Sequence, residues 1–119
     1  MPLLIIHCSK KAISSDLVSQ IENESSRILS ETLKKSTDYI MIKIAAGENI
    51  AFAQDSLTPA IYMEVKNVGE IKPATSRDLA KKLTALTHKT LEVSPERTYI
   101  EFQQSDRHLW GWAGSTFAG

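Results

Sequence analysis

Pro2 has the most unusual chemistry to offer in this chain. If Met1 is removed, which a small second residue such as proline favours, Pro2 becomes an N-terminal secondary amine. The aliphatic run Leu3-Leu4-Ile5-Ile6 that follows reads as a strand buried on both faces, with the amine at its head. Chain ends are usually loose and solvated, so a terminus threaded into the core is a chemical clue. A group that takes a proton and returns it works best when it titrates near the ambient pH. A free α-amine has a pKa of about 8 and a secondary amine starts higher. Burial and a neighbouring cation both lower it. Lys35 is the obvious cation, because it ends the first predicted helix just before a strand expected to run parallel to the one Pro2 begins. Each residue also has an ordinary reading. Proline after Met1 is common, and a lysine at a helix C-terminus complements the helix dipole. With Met1 retained, the Pro2 nitrogen is an amide and has no lone pair to act as base.

Composition removes several other classes of function. The chain has 119 residues, which points to one domain spanning 1–119. Lys+Arg and Asp+Glu both number 14, so there is no charge excess to suggest a nucleic-acid binder or a membrane-surface protein. A near-neutral protein tends to self-associate or to hide surface in an oligomer. The single cysteine, Cys8, cannot form an internal disulfide, and no CxxC offers zinc or redox chemistry. Cys8 ends an apolar run and reads as a small buried hydrophobe. No apolar stretch approaches the length of a membrane span, and the start lacks the basic region and cleavage site of a secretory signal. A cytoplasmic location is therefore expected, with export without a signal peptide left open.

Two helices and four strands must position Pro2 and Lys35. Leu3–Cys8 is the first strand. Ser14-Ser15-Asp16 offers caps for a helix over 16–34, whose apolar face is Leu17, Ile21, Ile28, Leu29 and Leu33, with Ser25 filling the gap. Tyr39–Ala46 is the second strand, and Ile50–Ala53 a short extended piece at an edge. Ala60–Val68, opened by Pro59 and broken by Gly69, is the third. Ser76 is the expected cap of a second helix that runs to about Leu91, with Leu79, Leu83, Leu86 and Thr90 on one stripe. Thr98–Gln103 is the fourth strand, Ser105–Leu109 a polar loop, and the tail holds Trp110, Trp112 and Phe117.

The two halves, about 1–58 and 59–119, echo each other. Pro2 and Pro59 head equivalent strands, Asp16-Leu17 matches Asp78-Leu79, and Tyr39-Ile40 matches Tyr99-Ile100, all at an offset of roughly sixty residues. This predicts an α+β fold of duplicated β-α-β units, β-α-β-β-α-β. Right-handed crossovers make each half a parallel strand pair. Together they give a four-stranded mixed sheet with both helices on one face. The other face is left uncovered. Ile5, Ile42, Ile44, Ile61, Met63 and Val65 alternate with few charges, so an apolar open face and hence an oligomer are expected.

The chain resembles the macrophage migration inhibitory factor and D-dopachrome tautomerase family of the tautomerase superfamily. The matching residues are Pro2 with its aliphatic strand, Lys35 ahead of Asp38-Tyr39-Ile40, Val68-Gly69, Ser94-Pro95-Glu96-Arg97-x-Tyr99-Ile100, and the tail Gly111-Trp112-x-x-Ser115-Thr116-Phe117-Ala118. They span essentially the whole chain. The resemblance implies a homotrimer with active sites at subunit interfaces. It implies keto–enol tautomerisation of a small aromatic keto acid such as phenylpyruvate, or of a dopachrome-like compound, without cofactor or metal. It implies Pro2 as general base and Lys35 as partner of the substrate carboxylate. Val68 would line the pocket, Tyr99 of a neighbouring subunit would wall the ring, and Trp112 and Phe117 would form an aromatic rim.

Three departures from the family pattern stand out. Glu101 replaces a common asparagine, where a carboxylate would accept a phenol's hydrogen bond, raise the amine's pKa or repel an acidic substrate. Trp110 replaces a smaller aliphatic and would narrow the pocket mouth. Ala60 and Met63 stand where some members carry a redox cysteine pair, so no thiol activity is expected. Two other readings stay open. One is a signalling protein with a protein receptor, in which the pocket is secondary. The other is a ferredoxin-like small-molecule sensor, which shares the element order but leaves Pro2 and the aromatic tail unexplained.

Overall fold

A computed structural model describes residues 1–119. The first strand, β1 (Pro2–Cys8), lies at the centre of a four-stranded sheet of order β2-β1-β3-β4. Here β2 is Met41–Ala45, β3 Ile61–Val68 and β4 Thr98–Ser105. β1 runs parallel to β2, β3 parallel to β4, and β1 antiparallel to β3. Helices α1 (Ser15–Leu33) and α2 (Pro73–Leu91) make the two crossovers. They pack on each other and on the same side of the sheet. Leu4, Ile6, Met63 and Val65 from the sheet meet Ile21, Leu29, Leu79 and Leu83 from the helices, all fully buried in one cluster. Each such side chain contributes about 1.5–3 kcal/mol of transfer free energy. No helix is long and apolar enough to cross a membrane.

Pleat parity corrects the expectation for the open face. Residues two apart in a strand share a face, and Ile42, Ile44, Ile61, Met63 and Val65 all have the parity that meets the helices. Of the six apolar residues expected on the open face, only Ile5 is there. The open side carries Leu3, Ile5 and His7 of β1, which is therefore fully buried on one face only. Their cross-strand partners are Lys66, Glu64 and Tyr62. His7 Nε2 donates to Glu64 at 2.7 Å, Lys66 Nζ lies 3.6 Å from the same carboxylate, and His7 stacks on Tyr62. The His7 ring N–H holds the Glu64 carboxyl below the usual carboxylate range. The open face is thus mixed and partly ion-paired.

Local chemistry moves three other boundaries. Tyr39 lies in a single 3₁₀ turn, Thr37–Tyr39, and not in β2, because the Ser36 hydroxyl accepts from the Asp38 N–H and starts a turn. α2 begins at Pro73, whose missing N–H costs nothing in the first turn. Lys72 caps it with no side-chain bond, and Ser76, expected as the cap, donates instead to the Pro73 carbonyl. The piece over 50–53 is a tight hairpin turn and not an edge strand. Phe52 and Asp55 exchange both backbone hydrogen bonds, with Ala53 and Gln54 at positive φ between them.

Candidate active site

Pro2 is buried at the head of β1, directly opposite Asn67 of β3. Two cavities adjoin this end of the sheet. One, of about 220 Å³, is lined by Pro2, Tyr39, Trp110, Trp112 and Phe117 among others. The second, of about 380 Å³, is lined by Lys35, Ser36, Val68, Gly69 and Arg107. Met1, Tyr39 and Phe117 border both. The Met1 residue therefore stands at the junction of the two spaces, where the Pro2 amine would be uncovered once Met1 is gone.

Lys35 reaches this junction because α1 ends sharply. Lys34 turns left-handed at φ 56°, and both it and Lys35 donate backbone N–H groups to the Ser30 carbonyl. The Ser30 hydroxyl then donates to the Lys35 carbonyl at 2.6 Å. The Lys35 backbone is held from two sides, while its ammonium has no carboxylate within 4.0 Å. The α-amine at Met1 records the local field. Burial first, then the Lys35 charge, hold it below its ordinary value. Both forces have the direction a catalytic amine requires.

The aromatic wall comes from the chain's end. Gly111–Trp112 (β5) and Ser115–Thr116 (β6) form a small hairpin, and the Phe117 N–H donates to the Trp110 carbonyl. Trp112 stacks on Phe117 with ring centroids 6.2 Å apart and takes the Tyr39 ring edge-on at 5.7 Å. Trp110 is half-buried against Pro2's cavity. The Val68 N–H donates to the Met1 carbonyl at 3.4 Å. Removing Met1 would release it.

Within one chain, Tyr99, expected from a neighbouring subunit, and Glu101 both lie away from this end of the sheet. Tyr99 pairs with Tyr62, which pairs with His7, five residues along β1 from Pro2. At about 3.3 Å per residue that is about 17 Å along the strand. Tyr99 instead takes Phe52 edge-on at 5.2 Å. Glu101 accepts from the Tyr62 hydroxyl at 2.8 Å, a bond that pushes the Tyr62 phenol up to about 12. Within one chain, Glu101 acts on its own tyrosine and reaches neither cavity. Conversely, the sequence reading missed Tyr39, Ser36 and Arg107 as lining residues. Arg107 lay in a segment read only as a polar loop. The signal for Tyr39 was its place four residues after Lys35. Cys8 is fully buried and burial pushes its thiol up, which removes it as a nucleophile.

A chain terminus at the head of an inner strand, near a lysine and an aromatic wall, can be set against known proteins. The family model described as macrophage migration inhibitory factor matches residues 1–118. The chain belongs to that family. A macrophage migration inhibitory factor homolog of Trichinella spiralis is 28% identical over 117 residues, covering 98% of this chain and 100% of that one. The macrophage migration inhibitory factor of Meriones unguiculatus is 27% identical over 120 residues, covering 99% and 100%. The crystal structure of a homologue from Prochlorococcus marinus superposes with a TM-score of 0.89 at 30% identity, covering 97% of this chain and 98% of that one. The fold is that of the tautomerase superfamily.

Proposed function

We propose that the chain is a cofactor-independent keto–enol tautomerase of small aromatic 2-keto acids, with phenylpyruvate the test substrate. The observation that carries this reading is the position of Pro2: buried at the head of β1 against one cavity, directly after Met1, which borders both cavities and whose α-amine feels the charge of Lys35. After Met1 removal the Pro2 nitrogen takes a proton from the carbon next to the keto group and delivers it to the keto oxygen to give the enol; the reverse path carries it from oxygen back to carbon. Lys35 holds the substrate carboxylate and, through its charge, keeps the amine partly neutral. Tyr39, Trp112 and Phe117 give the ring an apolar slot.

Tyr99 belongs to this site only if a second copy brings it there. A homotrimer in which the far end of one sheet meets the Pro2 end of the next would do so, and the mixed open face would line its interior. A second reading rests on the relatives' printed name: a signalling protein in which the pocket is secondary.

The test pairs intact mass with phenylpyruvate turnover on one preparation. A mass without Met1 and with activity is expected. Pro2→Gly, which keeps a free amine but alters its basicity and position, should lower kcat/KM about a hundredfold, the lower bound of what a positioned base supplies. Full activity in Pro2→Gly would overturn the assignment of the base.

A further inference from the structure

The larger cavity carries more positive charge than a mono-acid needs. Lys35 and Arg107 both line it, together with the Ser36 hydroxyl, and no aspartate or glutamate does. The Lys35 ammonium has no carboxylate partner. Arg107, on a 3₁₀ turn after β4 (Arg107–Leu109), uses only its Nε, which donates to the Phe117 carbonyl at 2.8 Å. That bond fixes the guanidinium plane against the aromatic hairpin and leaves both terminal nitrogens free of any protein acceptor. A planar, oriented guanidinium with unused donors is suited to a carboxylate or a similar anion. One substrate carboxylate pairs with one cation and leaves the other free to take a second anion.

We propose that Arg107 is a second anion-binding residue of this pocket, and that the preferred ligand is a dianion: a 2-keto acid with an apolar body and a second carboxylate or comparable anionic group. This rests on the tautomerase reading for the words "2-keto acid", but the dianion preference is a property of the cavity and is testable without turnover. The first carboxylate pairs with Lys35, the second with the Arg107 fork, and the apolar body faces Tyr39 and Phe117, which border both cavities.

The probes are 3-phenylpropanoate and phenylsuccinate, which share a phenyl body and differ by one carboxylate. Each is titrated against the full chain and followed by the fluorescence of Trp110 and Trp112. The wild type should bind phenylsuccinate about tenfold more tightly, the low end for a charge-assisted hydrogen bond in a partly open site. Arg107→Gln should abolish that advantage by weakening phenylsuccinate far more than 3-phenylpropanoate. Arg107→Lys, which keeps the charge without the fork, should retain part of it. Equal affinities in the wild type, including no binding of either probe, would overturn the proposal. An advantage that survives Arg107→Gln would do the same. Equal weakening of both probes by Arg107→Gln would mean that Arg107 only anchors the Phe117 carbonyl. The same titrations on Pro2→Gly separate the two readings, because an intact dianion preference there leaves Arg107 standing whatever becomes of the base.

Discussion

At the end of the sheet where β1 leaves, several strongly polar side chains find partners inside the chain. His7 holds Glu64, Tyr62 holds Glu101, and the Arg97 guanidinium donates to the carbonyls of Phe52, Asp55, Thr58 and Pro59. At the end where β1 begins, Lys35 and Arg107 have no counter-ions, and the buried amide oxygen of Asn67, opposite Pro2, has no hydrogen-bond partner. Buried polar groups are normally satisfied, and an exception asks for an explanation. The first end is self-sufficient and structural. The second is unfinished in the way a binding site is unfinished before its ligand arrives.

The sharpest way to break that division is to ask whether the two ends meet between copies. Pro2→Gly and Tyr99→Ala chains, each strongly impaired on phenylpyruvate, should regain activity when unfolded and refolded together. Random assembly gives about a quarter of the head-to-tail contacts an intact Pro2 from one copy and an intact Tyr99 from the next. Activity should rise from near zero to about that fraction of the wild-type rate. A mixture no better than its parts would confine the site to one chain and remove Tyr99 from it.

Lys35→Ala probes the unfinished end alone. Losing a charge-assisted bond to the substrate carboxylate should lower kcat/KM about ten- to a hundredfold, mostly through KM. The pH profile carries the second readout. Lys35 lowers the pKa of an amine at this site, so its removal should move the acidic limb of the kcat/KM profile, where the base must lose its proton, to higher pH. A loss in rate with no shift in the limb would leave Lys35 as a binding residue without an electrostatic effect on the base.

The residues that carry this contrast were unevenly legible in the sequence. Element order and both parallel pairs followed from hydrophobic periodicity and from the resemblance. What periodicity did not resolve was which face of each strand meets the helices. A parity error of one residue moved five apolar side chains to the wrong side. Tyr39 was read into β2 because its β-propensity is high, whereas the Ser36 cap stops the chain one turn earlier. Arg107 and Glu101 show the same limit from opposite sides. A charged residue's role depends on whether a partner lies within reach, and that is fixed by contacts far apart in sequence. Glu101 has Tyr62 on the neighbouring strand; the terminal nitrogens of Arg107 have only the cavity.

Arg97→Ala tests whether the self-sufficient end is only structural. Four carbonyl bonds to a mostly buried guanidinium hold the 52–59 loop. Their joint loss should cost about 3 kcal/mol, since bonds that share one donor group do not add. A lower thermal midpoint is expected. If a neighbouring copy uses Tyr99, the loosened Phe52–Tyr99 pair should also raise KM for phenylpyruvate at temperatures where the protein stays folded. An unchanged KM with a lowered midpoint would keep the two ends separate.

The smallest effect belongs to Asp55, which sharpens the comparison by pH. Its carboxylate accepts the Thr58 hydroxyl and the Thr58 and Leu57 N–H groups, and it lies near Arg97. The Thr58 hydroxyl is the largest cause and Arg97 the smallest in holding its pKa down at about 2. Because the folded value lies below the unfolded one of about 3.9, the stabilisation is complete above that pH and fades as pH falls to about 2. Asp55→Asn should therefore lower the thermal midpoint slightly at neutral pH and make no difference near pH 2. A midpoint difference that persists at pH 2 would mean that the carboxylate's shape, and not its charge, holds the loop. The self-sufficient end would then depend on packing geometry where the unfinished end depends on charge.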